Sequence, residues 1–322
     1  MVDGSSRRRA LQWPYQSHEK YEVLLREAAH IWYAGKGIQT QPKYPYILSE
    51  WSSWPKNIIV PEVVTYIAGQ REQCQAERKP FPLHKFVHHG LSSQALLFNL
   101  IGPMVVRHDL APLLTALAAA GVTWPAGDAT ATFELADRTV FNEDTGQPTS
   151  IDLVLEGNKA SHPLFVECKF VEREFGGCSV FARGDCEGRN PVGNLSECYL
   201  HFLGRRYWDR LDQHGFLDTP LFSSAICPLA TYYQFFREVL FALHKSGYFV
   251  LLYDERNPTF VRGGSSSGRG LLPFLLSTLP ETAQPHVKSL TIQSLFEAIV
   301  EGGRQSDWTD DFAEKYRLPR GR

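Results

Sequence analysis

Residues 148–172 read PTSIDLVLEGNKASHPLFVECKFVE. Two short runs rich in β-branched and apolar residues, Ile151 to Glu156 and Leu164 to Val171, flank a polar segment with turn chemistry at Gly157-Asn158-Lys159 and Ser161-His162-Pro163. The simplest fold for such a pattern is a β-hairpin. Alternation along the second strand turns Leu164, Val166, Cys168 and Phe170 to one face and Phe165, Glu167, Lys169 and Val171 to the other. On the first strand Asp152 shares a face with Val154. A turn centred between residues 159 and 161 sets Asp152 opposite Glu167 or Lys169, and the loop 157–163 is centred there. The spacing therefore allows Asp152, Glu167 and Lys169 to meet on one patch.

Such a patch has a chemical use. Two carboxylates on neighbouring strands offer hard oxygen ligands to Mg²⁺ or Mn²⁺, and an adjacent ammonium can orient water or offset charge developing on a phosphate. The plainer alternative is a solvent-facing hairpin with an acid and a base two residues apart. Phe165 and Val171 argue against it, because they share the face of Glu167 and Lys169. Charges set in an apolar strand are costly without a partner or a task.

At these residues the chain resembles the PD-(D/E)xK nuclease superfamily, with Asp152 as the first acid and Glu167-Cys168-Lys169 as the E-x-K triplet. The proline of the motif is displaced, at Pro148 rather than directly before Asp152. The resemblance implies an α/β (α+β mixed) fold with a restriction-endonuclease-like core: a central mixed sheet with flanking helices, preceded by a helical N-terminal region. It also implies a metal-dependent phosphodiesterase acting on DNA, and a homodimer in many members. The run Ser92 to Pro103, SSQALLFNLIGP, looks like the helix that precedes the core sheet in a restriction-endonuclease family of that superfamily. Gln94 then resembles the polar side chain such a helix lends to the site. Gln234, with Tyr233 and Arg237 beside it, resembles the contribution of a later helix.

Composition sets outer bounds. The chain has 322 residues, 43% hydrophobic and 21% charged, which is ordinary for a globular protein. A net charge of −2 and a pI near 6.6 give no global basic footprint, which counts mildly against a nucleic-acid enzyme. Basic residues cluster locally at Arg205, Arg206 and Arg210 and at Arg256, Arg262 and Arg269, where a solvated surface is the ordinary explanation. No apolar run approaches about 18 residues and the first residues lack the apolar core of a secretory signal, so the expectation is a cytoplasmic protein without membrane contact.

In order along the chain, residues 1–80 form a helical N-terminal extension, 81–260 the core with a cysteine-containing insertion at about 173–230, and 261–322 a C-terminal loop and helical extension. Arg7-Arg8-Arg9 lies in a loose terminus. Helices are expected over Glu19 to Tyr33, Pro61 to Arg78, Leu110 to Ala120, Cys198 to Leu211 and Pro228 to His244. Thr40 to Lys56 reads as an irregular packed connection. The helix capped by Ser92 or Ser93 is expected to break at Gly102-Pro103. His84 and His88 would share a face if helical, with His89 beside them, but surface or capping roles suit them better than metal binding. Ala129 to Ala136 should be the first core strand, with Glu134 either supporting the site or pairing with Arg138. Tyr248 to Tyr253 is a further apolar strand, and Asn257 to Arg269 a flexible loop. Leu271 to Leu279 and Leu290 to Val300 read as helical or mixed, with Trp308 and Phe312 anchoring the tail.

Cys178, Cys186, Cys198 and Cys227 fall in or just after the insertion with spacing C-x7-C-x11-C-x28-C. Four thiolates suit Zn²⁺ or an iron-sulfur cluster, yet no C-x-x-C pair supports either, and free thiols in a reducing compartment are the alternative. Three functional readings follow. The first is a Mg²⁺-dependent endonuclease of restriction or defence type, with Asp152 and Glu167 on the metal, Lys169 on water or charge, and Gln94, Glu134 and Gln234 assisting. The second is a non-catalytic module that binds nucleic acid or protein, stapled by metal. The third is hydrolysis of RNA or a small phosphodiester.

Overall fold

The computed structural model describes residues 17–122, 129–157, 162–261, 270–303 and 306–319. The Arg7-Arg8-Arg9 run, residues 158–161 of the expected turn and the residues from Arg262 to Arg269 lie outside them.

Helix α1 (Glu19–Gly35) is followed by a two-stranded sheet, β1 (Thr40–Gln41) and β2 (Tyr44–Leu48), and by a 3-10 helix at Trp51–Asn57. The connection expected to be irregular thus carries regular structure. Helices α2 (Pro61–Ala76), α3 (Ser93–Val106) and α4 (Ala111–Ala119) lead into the first core strand, β3 (Ala129–Asp137). Strands β4 (Thr149–Gly157) and β5 (Leu164–Lys169) form the hairpin. The insertion carries short helices α5 (Ser179–Arg183), α6 (Tyr199–Phe202) and α7 (Tyr207–Gln213) before the long α8 (Pro228–His244). Then come β6 (Tyr248–Tyr253), α9 (Pro258–Val261), α10 (Leu271–Ser277), β7 (Val287–Thr291), α11 (Ile292–Gly302) and α12 (Ser306–Tyr316).

The core is a five-stranded sheet in sequential order, β3 to β7. Pairing is antiparallel from β3 to β5 and parallel from β5 to β7, so the sheet is mixed and helices flank it, as the fold class requires. Its two faces bury separate cores. Phe133, Leu153, Leu155, Leu164, Val166, Cys168 and Phe170 face α3, α11 and α12, while Ile151, Val154, Phe165, Phe249 and Leu251 face α8. The alternation expected for Leu164 to Phe170 therefore holds. Burial of apolar side chains on both faces, at roughly 25 cal/mol per Å², is the main force holding the layers.

Helix α3 differs from its expected course. Ser92 caps it, accepting from the Ala95 N–H at 3.3 Å, but the helix runs on through Pro103. Almost every residue from Gln94 to Met104 is buried, so tertiary packing outweighs the hydrogen bond that Pro103 cannot donate. Gly102 contributes, because a Cβ there would meet Val63 Cγ1 at 2.6 Å.

Two further expectations are corrected. Residues 198–211 make two short helices, not one, since the chain turns at Gly204 with φ 76°. His84 and His88 do not lie on a helix: residues 81–90 are turns and extended chain, and the histidine rings pack on Phe86 and on one another. The segment from Leu290 to Val300, read as helical or mixed, is mixed: it starts inside strand β7, hydrogen-bonded in parallel to β6, and continues as α11. Trp308 and Phe312 are buried anchors as expected. Lys315 joins them, donating to the Asn57 carbonyl oxygen and, at 2.7 Å, to Asn57 Oδ1.

One arginine of each basic cluster is spent on structure. Arg205 is buried and donates to Asn142 O, Asp144 and Thr145, and Arg256 pairs with Asp254 at 2.6 Å while donating to the carbonyls of Tyr316 and Arg317. Among the described residues, no helix is long and apolar enough to cross a membrane.

Candidate active site

Strands β4 and β5 pair with Leu153 opposite Val166 and Leu155 opposite Leu164. Carried one rung further, this register sets Asp152 against Glu167, one of the two registers the loop length allows. The ladder stops before that rung. There the Asp152 side chain takes over, its Oδ2 accepting the Cys168 N–H at 2.9 Å. The carboxylate thereby closes the splayed end of the hairpin and is fixed beside the next strand.

A second irregularity lies across β3 and β4. Phe133 pairs with Leu153 and Leu135 with Ile151, so Glu134 stands across from Asp152. Phe133 and Leu153 enter one core, whereas Leu135 and Ile151 pack in the other. Both strands thus lose their two-residue alternation at this rung. Glu134 has φ 55°, a left-handed conformation that costs a non-glycine residue roughly 1–2 kcal/mol. Strain of this kind gathers at functional sites.

Helix α8 supplies the other wall. It is kinked at Tyr232, and the Gln234 N–H donates to Gly176 O at 3.0 Å in the loop after β5. That loop must approach closely, because a Cβ on Gly177 would lie 2.3 Å from Ala230 O. The kink is therefore a local exchange of a helical hydrogen bond for one to the loop. It leaves Gln234 Nε2 donating to Glu167 Oε1 at 2.6 Å and to Glu238 Oε1 at 2.9 Å, while Gln234 Oε1 accepts from Lys169 Nζ at 2.9 Å. Lys169 Nζ also donates to Glu167 Oε1 at 2.6 Å and lies 5.5 Å from the centre of the Phe175 ring.

On the opposite side, Gln94 in the first turn of α3 donates through Nε2 to Glu134 Oε1 at 2.6 Å and to Pro82 O at 2.9 Å. Its Oε1 accepts the His84 N–H at 2.8 Å. Glu134 Oε2 accepts from Ser150 at 3.4 Å. Glu134 does not pair with Arg138, which instead donates to the carbonyls of Glu143 and Gly146. All six side chains named from the sequence, Gln94, Glu134, Asp152, Glu167, Lys169 and Gln234, thus lie along one seam at the end of the sheet. Arg237 borders it, its guanidinium 4.0 Å from Glu238 Oε1 and 5.2 Å from the Tyr233 ring centre.

Glu238 joins them unforeseen. It is fully buried, and its Oε2 has no hydrogen-bond partner among the described residues. The signal was the spacing Gln234-x-x-x-Glu238, which puts both residues on one helical face.

The electrostatics follow from crowding acids in little water. Burial pushes the Asp152 carboxyl well above its ordinary range, and the charges on Glu167 and Glu134 add to the effect. Burial and the Glu167 charge likewise raise Glu134 to about 8, against the Gln94 hydrogen bond. Glu238 is raised by burial and by Glu167. Burial alone would lower the Lys169 ammonium, but Glu167, with Glu172 and Glu238, holds it above its usual value. Glu167 and Lys169 are only 4% and 5% exposed, whereas Asp152 and Gln234 keep part of their surface open.

Among the described residues, no three histidine, cysteine, aspartate or glutamate side chains already surround one point as metal ligands. The donor set at the seam nevertheless suits a hard dication. The hydrogen bonds to Asp152 end on Oδ2 and those to Glu167 on Oε1, and the mutual repulsion of these carboxylates is what such an ion would relieve. No curated protein and no solved structure matches the chain. The sequence model described as Restriction Endonuclease associating with ARP (REase-ARP) matches residues 26–317, nearly the whole chain, and the chain belongs to that family.

Proposed function

We propose that the chain is a Mg²⁺- or Mn²⁺-dependent endonuclease that hydrolyses DNA in a restriction or defence role, with a PD-(D/E)xK site made of Asp152, Glu167 and Lys169. One observation carries this reading: Asp152 closes the splayed end of β4 and β5 beside a Glu167–Lys169 pair of 2.6 Å, at the rung where Glu134 is held in a left-handed conformation. Asp152 and Glu167 would hold the ion, which when bound polarises a phosphate oxygen and lowers the pKa of water. Lys169, kept charged by Glu167 and aimed by Gln234, offsets negative charge on the phosphate oxygens. Gln94 orients Glu134, and Gln234 orients both Glu167 and Lys169. Hydrolysis joins a water oxygen to phosphorus and breaks one ester P–O bond, so the protein's task is positioning and charge. RNA remains an alternative substrate, and a homodimer the proposed assembly.

The near-complete burial of Glu167 and Lys169 favours a second reading, an interaction module whose acids and lysine are a structural pair. Cleavage of supercoiled plasmid and linear DNA with Mg²⁺ or Mn²⁺, by wild type and by Asp152→Ala and Lys169→Ala, separates the two. Metal-dependent nicking by wild type that both variants lose supports the enzyme. Absence of cleavage in every condition, with DNA bound equally by all three proteins, supports the module.

A further inference from the structure

Cys178, Cys186, Cys198 and Cys227 are widely spaced in sequence, yet all four line one cavity of about 30 Å³ beside α8. That is room for about two water molecules. Backbone hydrogen bonds bring the segments together. The Cys178 N–H donates to Leu229 O at 3.0 Å, and the Cys227 N–H donates to Gly188 O at 2.8 Å, two residues beyond Cys186. Arg189 and Ile226 add an antiparallel bridge. All four thiols are free, so no disulfide accounts for their convergence.

Two of the four sulfurs already accept a hydrogen bond. Cys198 Sγ accepts from Trp208 Nε1 at 3.3 Å, and Cys186 Sγ accepts from the Gly188 N–H at 3.3 Å. Cys178 and Cys227 are buried and stand immediately before the first residues of α5 and α8. Donors directed at sulfur stabilise metal-bound thiolates and tune them. The other cysteines are elsewhere: Cys74 is on α2 and Cys168 is in the sheet.

We propose that Cys178, Cys186, Cys198 and Cys227 ligate a metal centre that fastens the insertion to the start of α8. The sulfurs are spread round the cavity wall and not gathered on one point. Zinc would draw the four sulfurs to about 2.3 Å from one ion, which a cavity of this size admits, whereas an iron-sulfur cluster would need the wall to move outward. The centre is structural: it tethers the insertion at Cys227, seven residues before Gln234 and eleven before Glu238 enter the acidic seam. It is independent of whether that seam cleaves DNA.

The test is metal and sulfide analysis with absorption spectra of the full chain purified under anaerobic conditions. The panel is wild type, Cys178→Ser, Cys186→Ser, Cys198→Ser, Cys227→Ser and, as a control, Cys74→Ser. Iron with matching sulfide and a broad band near about 400 nm, or about one zinc per chain, supports the centre and names the metal, provided Cys74→Ser retains it and each of the other variants loses it. In case a variant fails to fold, metal-free wild type is titrated with Co²⁺, whose thiolate charge-transfer bands report the ligands directly. Metal-free wild type, no cobalt-thiolate bands, and a folded Cys186→Ser with unchanged melting would overturn the proposal.

Discussion

Glu134 stands across from Asp152 on a left-handed backbone, φ 55°, where β3 and β4 both change which core their side chains enter. Two raised carboxyls therefore face each other at a strained rung. The strain is testable apart from the charge. Glu134→Ala removes the carboxylate and keeps the left-handed penalty, while Glu134→Gly removes both. The glycine variant should be the more stable by about 1 kcal/mol, read from urea midpoints. Equal midpoints would mean that the backbone relaxes once the side chain is gone.

Asp152→Asn separates charge from geometry at the neighbouring position. An asparagine Oδ1 can still accept the Cys168 N–H. The Asp152 carboxyl has a raised pKa in the fold, so the folded chain binds its proton more readily than the unfolded chain, and keeping it ionised at pH 7 costs stability. That cost fades as pH falls toward the ordinary carboxylate range near about 4. The variant should therefore exceed wild type in urea midpoint at pH 7 by on the order of 1 kcal/mol, with the gain gone near pH 4. Millimolar Mg²⁺ should raise the melting temperature of wild type and leave Asp152→Asn unmoved. A wild type that is the more stable at pH 7 would identify the carboxylate as structural.

The sequence revealed these acids because two strands joined by a short loop leave few registers. Asp152, Glu167 and Lys169 follow from alternation and loop length alone. Gln94 and Gln234 needed the family resemblance, since nothing in a helical face says which amide points inward. Glu238 was hidden because a glutamate in an apolar helix resembles solvated surface until the opposite wall is known. Strand β7 was not legible for a related reason. Val287–Thr291 alternates weakly, and its pairing partner β6 lies across α9 and α10 in the chain. Pro103 misled for the reverse reason: a local breaker was overruled by packing on all sides of α3.

Gln234 is the crossbar between Lys169, Glu167 and Glu238, and it is a positioning residue. Gln234→Ala should lower kcat on plasmid by about 10- to 100-fold, with KM changed less, because the lysine loses aim and not charge. Gln234→Glu should be worse still, placing another acid against Glu167 and Glu238. Equal activity of wild type and Gln234→Ala would assign the crossbar to folding alone.

Acid stability has a separate source in the histidine cluster. Burial, with the neighbouring His88 and His84, lowers the His89 ring to about 4. An unfolded histidine titrates near about 6.5. Between these values the unfolded chain takes up a proton that the folded chain refuses, so the stability is full above the unfolded pKa and is lost as pH falls from about 6.5 toward about 4. The ring is partly exposed, so solvent screening limits the loss to roughly 1–2 kcal/mol. His89→Phe keeps the backbone carbonyl that accepts from Asn57 Nδ2 at 2.9 Å and can still pack on Phe86. Urea midpoints at pH 7 and pH 4.5 should therefore draw closer together in the variant than in wild type. A pH slope unchanged by the substitution would place the acid sensitivity in the other lowered histidines, His18, His84, His88, His214 and His244.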